Sequence, residues 1–425
     1  MYKIAILGYG GRGRLYGLYI KHHPKEFEVI AVIDNNSDKL KLAAKDLNGK
    51  PLLFDNLDDF LLKGKIADYL FICTQDRDHY EHSIKAMDTG YNLLLEKPIA
   101  TSMEDCIKIE RKAKEKNIKI GVCHVLRYSI YYDKIKEILD SGVLGKIISI
   151  EQIENVGFWH QAHSFVRGDW GNSEQSNPMI LAKCCHDLDL AVYLADSKCK
   201  SVVSVGKLNF FNKENCPEGA TEYCLNGCAV KDKCPYDCEK LYITKVPIMS
   251  GIKNLKHILP PVYKNFWPHS RLMSDSAVTV PKLYDALKTS QFGKCVFMSD
   301  NDVVDYQNVI MTFENGITST LTMTAFNAGK SYRQTRIRGT LGELDANMGE
   351  NKMYLKLFNE KPKRIFYGLG LDAHGGGDGK MLHMLAEDKL RTDISMSIES
   401  HLIGFLAEKS RLEDGQVQYL EEYRK

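Results

Sequence analysis

Short apolar runs alternate with amphipathic stretches over the first part of the chain. Five runs have the length and composition of buried strands, at residues 3–7, 29–33, 69–73, 92–95 and 119–123. Between them, residues 37–47 and 79–89 carry apolar side chains at helical spacing. This alternation predicts a doubly wound α/β (Rossmann) domain over residues 1–122, with a parallel sheet covered by helices on both faces. Ligands of such sheets bind beyond the carboxyl ends of the strands.

The pattern changes after this region. A helical stretch at 132–141 precedes runs in which apolar and polar residues alternate, at 146–155, 201–209, 303–314, 319–325 and 334–339. Period-two alternation indicates strands with one buried face, and a succession of them predicts an open, largely antiparallel sheet covered by helices on one side. We therefore expect a second, α+β domain over residues 123–425. Residues 211–292 show the least periodicity and are predicted to form an insertion over the cleft or the sheet edge.

A glycine-rich loop follows the first predicted strand. It reads G-Y-G-G-R-G from Gly8 to Gly13, and the second strand ends in Asp34. Gly8 permits a tight turn, Gly10 lets the backbone approach a pyrophosphate, and Gly13 allows the helix to pack closely on the strand. Asp34 would accept hydrogen bonds from ribose hydroxyls and would repel a 2′-phosphate. The pattern therefore predicts dinucleotide binding and favours NAD over NADP, with further cofactor contacts from Tyr9, Gly11, Arg12 and Asn35.

Size and charge narrow the class of protein. A chain of 425 residues suggests two domains rather than one core. Its 57 basic and 55 acidic residues give a net charge of +2 without a long basic run, so neither nucleic acid nor a membrane surface is an expected partner. No apolar run approaches the ~20 residues that span a bilayer. The chain begins directly with a strand pattern and no signal segment, which predicts a cytoplasmic protein.

Several motifs together resemble one oxidoreductase family. The loop G-Y-G-G-R-G, the E-K-P at 96–98 and the H-D-L-D at 186–189 occur in the order and spacing of the Gfo/Idh/MocA oxidoreductases. Four further segments are similar to a sugar-directed branch of that family, at 162–170, 300–307, 338–344 and 374–378. The resemblance implies NAD(P)-dependent oxidation or reduction of a ring carbinol of a sugar, an inositol or a sugar derivative. It also implies association through the open sheet as a homodimer or homotetramer.

The resemblance and the chemistry of hydride transfer single out three catalytic candidates. Lys97 of E-K-P is expected to contact the reacting oxygen, and His186 is expected to transfer the proton. Many family members carry an aspartate four residues before this histidine, where this chain has Ala182, while the adjacent Lys183 supplies a cation. Either Lys183 takes over the role of the aspartate with the opposite charge, or the proton path differs. A cation beside the reacting oxygen would favour an alkoxide or an enediolate.

Other polar residues are expected to line the same cleft. Strand-end position and the resemblance add cofactor contacts from Thr74, Gln75, His79, Glu96 and Lys97. A polar and aromatic set suited to sugar hydroxyls and a sugar ring face supplies the expected substrate contacts, comprising Tyr128, His163, Arg167, Trp170, His186, His374 and Asp378.

Five of the twelve cysteines fall within residues 216–238. Clustered thiols in a cytoplasmic protein suggest a metal before disulfides. The spacing C-x3-C-x5-C-x3-C of Cys224, Cys228, Cys234 and Cys238 predicts a structural zinc site, although the middle gap is short for a zinc ribbon. Free thiols, an iron–sulfur cluster and a redox function remain alternatives.

Three functions are compatible with these features. The first is an NAD-dependent dehydrogenase of a sugar or sugar derivative. The second is a glycoside hydrolase with retained NAD, which oxidises a ring hydroxyl, eliminates the glycosidic substituent, adds water and reduces the ketone again without net redox change. The third is a sugar or NAD sensor without turnover. The presence of both Lys97 and His186 argues against the third.

Overall fold

A computed structural model describes residues 1–244, 263–264, 267–273, 277–368, 370 and 374–424. The first part of the chain forms a six-stranded parallel sheet in the order β3-β2-β1-β4-β5-β6. Its strands are β1 (Tyr2–Leu7), β2 (Phe27–Ile33), β3 (Leu52–Phe54), β4 (Tyr69–Ile72), β5 (Asn92–Leu95) and β6 (Ile120–Val122). The five predicted strands are confirmed. Strand β3 was not predicted, because it is a three-residue edge strand without a buried residue.

Helices cover both faces of this sheet, at Gly11–His22, Ser37–Asp46, Leu57–Leu61, His79–Asp88 and Met103–Glu115. Local sequence fixes where several of them begin. The side chain of Asn36 accepts hydrogen bonds from the first-turn N–H groups of Ser37–Asp46, and Ser102 caps Met103–Glu115 in the same way. Apart from β3, the strands of this sheet are mostly buried, as expected for a sheet covered on both sides.

The second sheet has nine strands in the order β16-β15-β14-β13-β7-β12-β11-β8-β17. Strands β7 and β12 pair in parallel and the other neighbours pair antiparallel, so the predicted, largely antiparallel sheet is confirmed. The strands of this sheet are β7 (Ile147–Gly157), β8 (Cys199–Lys207), β11 (Tyr306–Phe313), β12 (Thr318–Asn327), β13 (Tyr332–Gly339), β14 (Gly342–Asn347), β15 (Lys352–Leu357), β16 (Lys363–Arg364) and β17 (Gln418–Tyr419).

The helices Cys185–Ala195 and Ile394–Leu412 pack on one face of the nine-stranded sheet. On β7, β11 and β12 alternate side chains are buried, which is the period-two pattern expected of a sheet with one covered face. The opposite face exposes large apolar side chains from four strands, namely Ile148, Val205, Ile310 and Phe326.

The last part of the chain returns to the first domain. Helix Gly377–Ala386 contributes Met381, Leu382 and Leu385 to the same apolar cluster as the first strands. The N–H of Val122 donates to the carbonyl of Thr392 over 2.7 Å. The predicted division at residue 122 remains a prediction, since residues 377–393 pack against the sheet that precedes it.

The remaining elements are short. Helices lie at Ile130–Asp140, Phe158–His160, Met179–Ala182, His269–Leu272 and Val280–Thr289, with wider turns at Gln161–Val166 and Lys240–Thr244 and single 3₁₀ turns at Asp76–Asp78, Val125–Tyr128, Lys213–Asn215, Gln291–Gly293 and Leu420–Tyr423. Strands β9 (Tyr263–Lys264) and β10 (Ala277–Val278) pair with each other. Part of the predicted insertion at 211–292 lies outside the described residues. Within the described ranges, the helices are too short or too polar to cross a bilayer.

Candidate active site

The glycine loop has the geometry that dinucleotide binding requires. Gly8 adopts φ +89°, and a Cβ there would lie 2.7 Å from the carbonyl oxygen of Cys73. A Cβ on Gly13 would lie 2.0 Å from the carbonyl oxygen of Gly8, so the helix packs on the strand at a distance that excludes a side chain. A Cβ on Gly10 or Gly11 would meet no protein atom within 4 Å. The loop therefore leaves open space above the first turn of Gly11–His22, as a bound pyrophosphate needs.

Asp34 lies at the end of β2 and is buried. Its carboxylate accepts hydrogen bonds from the N–H of Tyr9 at 2.7 Å and the N–H of Asn36 at 2.9 Å. These bonds hold the acid beside the glycine loop. The ring of Tyr9 is buried against the helix, so that residue faces the loop through its backbone. Asn35 is exposed at the same strand end.

Arg12 connects two carboxylates that come from opposite ends of the chain. Its guanidinium donates to Glu96 at 2.6 Å and to Asp378 at 2.7 Å. Tyr16 also donates to Glu96, and Nδ1 of His374 lies 2.8 Å from the second oxygen of Asp378. Burial alone would raise the pKa of both carboxyl groups. The charge of Arg12 and the hydrogen bonds from Tyr16 and Arg12 instead hold the pKa of Glu96 below its usual range. The hydrogen bond with His374 and then the charge of Arg12 do the same for Asp378.

Lys97 follows β5 and lies next to the segment that carries His186. Its Nζ donates to the carbonyl of Ala182 at 3.0 Å, which is its one hydrogen bond within the described part of the chain. The peptide bond from Lys97 to Pro98 is cis. No carboxylate among the described residues forms an ion pair with this ammonium group, so its charge is not neutralised by a salt bridge there.

His186 is buried beside Lys97 at the start of helix Cys185–Ala195. Burial, followed by the positive charge of Lys97, holds the pKa of the His186 imidazole well below its usual value. The ring is therefore neutral at physiological pH, and one of its two nitrogens carries no proton. Its Nδ1 has no hydrogen-bond partner among the described residues. The His374 ring lies 6.0 Å away, centroid to centroid, so the structure brings together three of the predicted residues.

Lys183 differs from Lys97 because its charge is paired. Its Nζ lies 2.9 Å from a carboxylate oxygen of Glu154, which projects from β7 and is fully buried. Arg333 of β13 lies 3.0 Å from the other oxygen of Glu154 and donates to Asp187 at 2.7 and 2.9 Å. Two cations and two carboxylates thus form one buried network beside His186, in which Lys183 takes part as an ion-pair partner.

The chain matches two models of one family over most of its length. Residues 2–124 match the oxidoreductase family, NAD-binding Rossmann fold, and residues 136–357 match the oxidoreductase family, C-terminal alpha/beta domain. The chain belongs to the Gfo/Idh/MocA family of oxidoreductases. The Rossmann and open-sheet architecture and the predicted NAD-binding class are thereby confirmed.

Individual relatives are distant. The oxidoreductase YteT of Bacillus subtilis (strain 168) is 23% identical over 414 residues, covering 90% of this chain and 89% of YteT. A 2,7-anhydro-N-acetylneuraminate hydratase of Escherichia coli (strain K12) is 26% identical over 148 residues, covering 35% of this chain and 39% of the hydratase. Among solved structures, levoglucosan dehydrogenase in complex with NADH and levoglucosan has a TM-score of 0.67 at 14% identity, covering 98% of each chain. At this level of identity, the likeness shows that the two proteins share a fold.

His79 and Thr74, which were predicted to contact the cofactor, form hydrogen bonds in the loops that follow β4 and β5. Nδ1 of His79 lies 2.7 Å from the carbonyl of Pro98 and Nε2 lies 3.3 Å from that of Thr74. The hydroxyl of Thr74 lies 3.0 Å from His82. These contacts hold the loops after β4 and β5 together beneath the ligand edge. Gln75, between them, is half-buried.

The structure places Tyr128 away from the cleft. Tyr128 is fully buried, and its hydroxyl lies 3.0 Å from that of Thr392 and accepts from the N–H of Arg391 at 2.7 Å. The preceding Arg127 forms a bidentate ion pair with Asp189 of H-D-L-D, with both donor–acceptor distances at 2.7 Å. The predicted substrate role of Tyr128 is corrected to a structural one, because neither its ring nor its hydroxyl is available to a ligand.

The set His163, Arg167 and Trp170 also turns into the protein rather than towards Lys97. Nδ1 of His163 lies 2.9 Å from the hydroxyl of Tyr242, and burial lowers the pKa of His163 to about 3. Arg167 is buried and donates to main-chain carbonyls at 2.6 and 2.8 Å. Trp170 is half-buried against the core and the guanidinium of Arg271. The predicted sugar-binding role of Arg167 is therefore corrected, since its contacts are to the cysteine-rich segment.

His160 is the histidine of this segment that lies near the site. Its Nδ1 is 3.0 Å from the hydroxyl of Ser331. Burial, and then the charges of Lys183 and Lys97 among others, hold the pKa of His160 well below its usual value. Sequence reasoning missed His160, and also Glu154. The sequence did contain a signal for Glu154, because this charged residue stands at a position of β7 where the alternation of apolar and polar residues predicts a buried side chain.

Proposed function

We propose that this family member is an NAD-dependent oxidoreductase that acts on a ring carbinol of a sugar or sugar derivative. The observation that carries the proposal is the pairing of Lys97 with His186. One side chain is a cation without a salt-bridge partner in the described structure, and the other is a buried, neutral imidazole with an unpartnered nitrogen. Lys97 lies at the carboxyl end of β5, on the same edge of the parallel sheet as the glycine loop, and His186 lies beside it on helix Cys185–Ala195.

The two residues divide the proton and charge chemistry between them. Bound NAD supplies the hydride acceptor or donor. The neutral imidazole of His186 takes the hydroxyl proton of the carbinol during oxidation and returns it during reduction. The ammonium group of Lys97 stabilises the negative charge that develops on the oxygen, and it does so more strongly than in water because Lys97 is half-buried. His374 lies beside His186 and is suited to a neighbouring substrate hydroxyl.

Lys183 acts as a positioning residue in this proposal. Its ion pair with Glu154, which also contacts Arg333, fixes the turn between Ala182 and His186 against β7 and β13. In this proposal the proton passes through His186 itself, so the aspartate that many family members carry is not needed. Lys183 does not act as a second free cation at the substrate oxygen.

A second candidate function is redox-neutral cleavage of a glycoside. It needs a group that removes a C–H proton and a group that protonates the leaving oxygen, in addition to the pair that handles oxidation. His160 supplies the observation that favours it, because it is a second neutral imidazole near both Lys97 and Lys183. The hydratase among the relatives is consistent with a reaction of this class.

One assay distinguishes the two functions. Nitrophenyl glycosides and the matching free sugars are supplied with and without NAD, and NADH and nitrophenol are followed together. NADH that accumulates in step with sugar oxidation supports the dehydrogenase, and catalytic nitrophenol release without net NADH supports the glycosidase. Lys97→Met should abolish turnover of either kind while NADH still binds, and Lys183→Met should lose less activity. Turnover that survives in Lys97→Met would remove the basis of the proposal.

Several finer predictions accompany this function. We propose NAD rather than NADP, because the carboxylate of Asp34 is buried at the strand end where a 2′-phosphate would lie. We also propose a homodimer or homotetramer that covers the apolar side chains of the open sheet face, which size-exclusion chromatography with light scattering would measure. A cytoplasmic location remains a prediction. So does a structural zinc ion in the cysteine-rich segment, which would lie apart from the hydride chemistry.

A further inference from the structure

Two of the three tryptophans of the chain lie beside His160, the neutral histidine near the proposed site. Trp159 directly precedes His160 after the end of β7, whereas Trp267 belongs to the segment at 211–292. The ring centroids of Trp159 and Trp267 are 5.1 Å apart, and those of His160 and Trp267 are 5.0 Å apart. Two distant segments of the chain thus bring their aromatic rings together at one place.

Contacts with the sheet fix Trp159 and His160. The hydroxyl of Ser331 lies 3.0 Å from Nδ1 of His160, and it also accepts the N–H of Gly157 at 3.0 Å. A Cβ on Gly157 would lie 3.1 Å from Nε1 of Trp159, so the indole lies close to the main chain at the end of β7. The same indole packs against a buried apolar cluster of the second domain. Both rings are therefore held in one position by contacts within the protein.

Trp267 presents the exposed part of this aromatic group. It is 42% exposed, although its ring also contacts that of His163 at 5.3 Å. The other two tryptophans, Trp159 and Trp170, are half-buried. Removal of apolar surface from water is favourable by about 25 cal/mol for each Å². An indole that rests on fixed rings and still exposes this much surface therefore gains free energy from a ligand that covers it.

His160 connects the two tryptophans with the proposed site. Burial, and then the charges of Lys183 and Lys97 among others, hold the pKa of His160 low, so both ammonium groups lie near its ring. Glu154 on β7 holds Lys183 at 2.9 Å, and Trp159 and His160 follow from the end of that same strand. The tryptophan pair therefore adjoins the proposed site through His160.

A sugar ring matches this arrangement of groups. A pyranose has a face of C–H bonds that packs on an aromatic ring, and a rim of hydroxyls that needs hydrogen-bond partners. Trp267 offers the aromatic surface, and the imidazole of His160 and the hydroxyl of Ser331 are polar groups beside it. Ligand sites combine aromatic walls with a few polar groups in this way.

The ring that stacks there is distinct from the ring that reacts. The reacting carbinol has to contact Lys97 and His186. Within the described ranges, the aromatic neighbours of His186 and those of Trp267 do not overlap. A sugar ring on Trp267 is therefore a second ring, linked to the first.

We propose that Trp267 and Trp159 form a subsite for a second sugar ring, which makes the substrate a disaccharide or a longer oligosaccharide. The subsite rests on the proposed function, because Lys97 and His186 define the place where the first ring reacts. The second ring contributes binding energy away from the reacting carbon and takes no part in the hydride transfer.

Tryptophan fluorescence measures this subsite without turnover. The unaltered protein with bound NADH, which cannot oxidise an alcohol, is titrated with glucose, galactose, mannose, xylose and rhamnose, with disaccharides composed of them, and with nitrophenyl glycosides. We expect a disaccharide to bind about tenfold more tightly than its component sugars, the gain expected from covering one ring face. The proposal is overturned if no disaccharide binds more tightly than its components. A gain for nitrophenyl glycosides alone would also overturn it, by assigning the indoles to an aromatic aglycone.

Trp267→Ala is the matched variant, and Trp170→Phe is its control. Since Trp267 is exposed, its truncation should leave the fold intact, which circular dichroism checks. We expect Trp267→Ala to lose the preference of about tenfold for the disaccharide while the affinity for the component monosaccharide stays the same. Trp170→Phe should keep both affinities. A disaccharide preference that survives in Trp267→Ala would contradict the role of this ring.

Acrylamide quenching of the unaltered protein is a second measurement, which needs no variant. Acrylamide quenches exposed tryptophans, so quenching should fall when the preferred disaccharide binds and should stay unchanged with its component monosaccharides. Equal protection by both would refute the subsite.

The two proposals fail in distinguishable ways. Turnover of sugars without any disaccharide preference in binding or quenching would refute the subsite and leave the oxidoreductase. Disaccharide binding that protects the exposed indole, without turnover of any sugar, would support the subsite and remove the proposed function.

Discussion

Arg12→Met tests the link between the glycine loop and the end of the chain. The substitution keeps the apolar stem of the side chain and removes the guanidinium that lies between Glu96 and Asp378. It leaves two buried carboxylates without their cation. Tyr16 still donates to Glu96, and His374 still contacts Asp378. We expect a large loss of stability, which the two remaining hydrogen bonds partly offset.

The magnitude follows from burial. The side chains of Glu96 and Asp378 are 9% and 3% exposed, and that of Arg12 is 28% exposed. Removal of one partner from a buried ion pair costs about 3–5 kcal/mol. Because Arg12 keeps one side in water and each carboxylate retains a hydrogen bond, we expect a loss of about 3 kcal/mol in the free energy of unfolding.

The loss should depend on pH in a definite direction. The pKa of each carboxyl is depressed in the folded protein, so the stabilisation is fully present above the unfolded pKa and is lost as pH falls through the folded pKa. Without Arg12, burial is opposed less strongly, so the pKa of each carboxyl group is higher than in the unaltered protein and both groups protonate more readily. The difference between the two proteins should therefore be largest at neutral pH and should narrow below about pH 5.

Urea unfolding of both proteins at several pH values measures this difference. Arg14→Met is the matched control, because Arg14 lies two residues away and pairs with Asp46 at 2.7 Å near the surface. That change should cost no more than about 1 kcal/mol. Equal losses for the two variants, or an Arg12→Met deficit that does not change with pH, would refute the role assigned to the buried pair.

Three further predictions concern other residues. Asp34→Ala should weaken NADH binding and reduce the preference for NADH over NADPH, as measured by cofactor fluorescence, and an unchanged preference would contradict the role of the acid. Gly13→Ala should disturb folding and cofactor binding because its Cβ has only 2.0 Å to the carbonyl of Gly8, whereas Gly11→Ala should fold normally by circular dichroism. Tyr128→Phe should lower stability by about 1 kcal/mol without altering KM, since its hydroxyl bonds only within the core of the described structure. A raised KM would restore its substrate role.

The local sequence pattern was sufficient to predict the role of residues that act through their own backbone. Gly8 and Gly13 are recognisable because a tight turn and a close helix contact each demand a residue without a side chain. The alternation along β7 and β12 predicted the sheet face that helices cover. In contrast, β3 and the two-residue strands carry too few residues to show a period, and their pairing depends on the strand beside them.

The sites depended on contacts between distant residues. Arg167 and Tyr128 are residue types that commonly contact sugars, but in the structure both form hydrogen bonds inside the protein. The sequence did not show this because it does not show which side chains are buried. His160 and His163 lie three residues apart, and the sequence does not show that His163 contacts Tyr242 while His160 lies near Lys183 and Lys97.

The sequence by itself determined the two architectures, the dinucleotide loop with its acid, and the family to which Lys97 and His186 belong. These are local properties, because strand period, turn chemistry and a motif are set by residues close together in the chain. Only the tertiary structure decided which charges are paired. Lys183 meets Glu154 from β7 and Arg333 from β13, whereas Lys97 meets a carbonyl, and that difference arises where separate strands and helices converge.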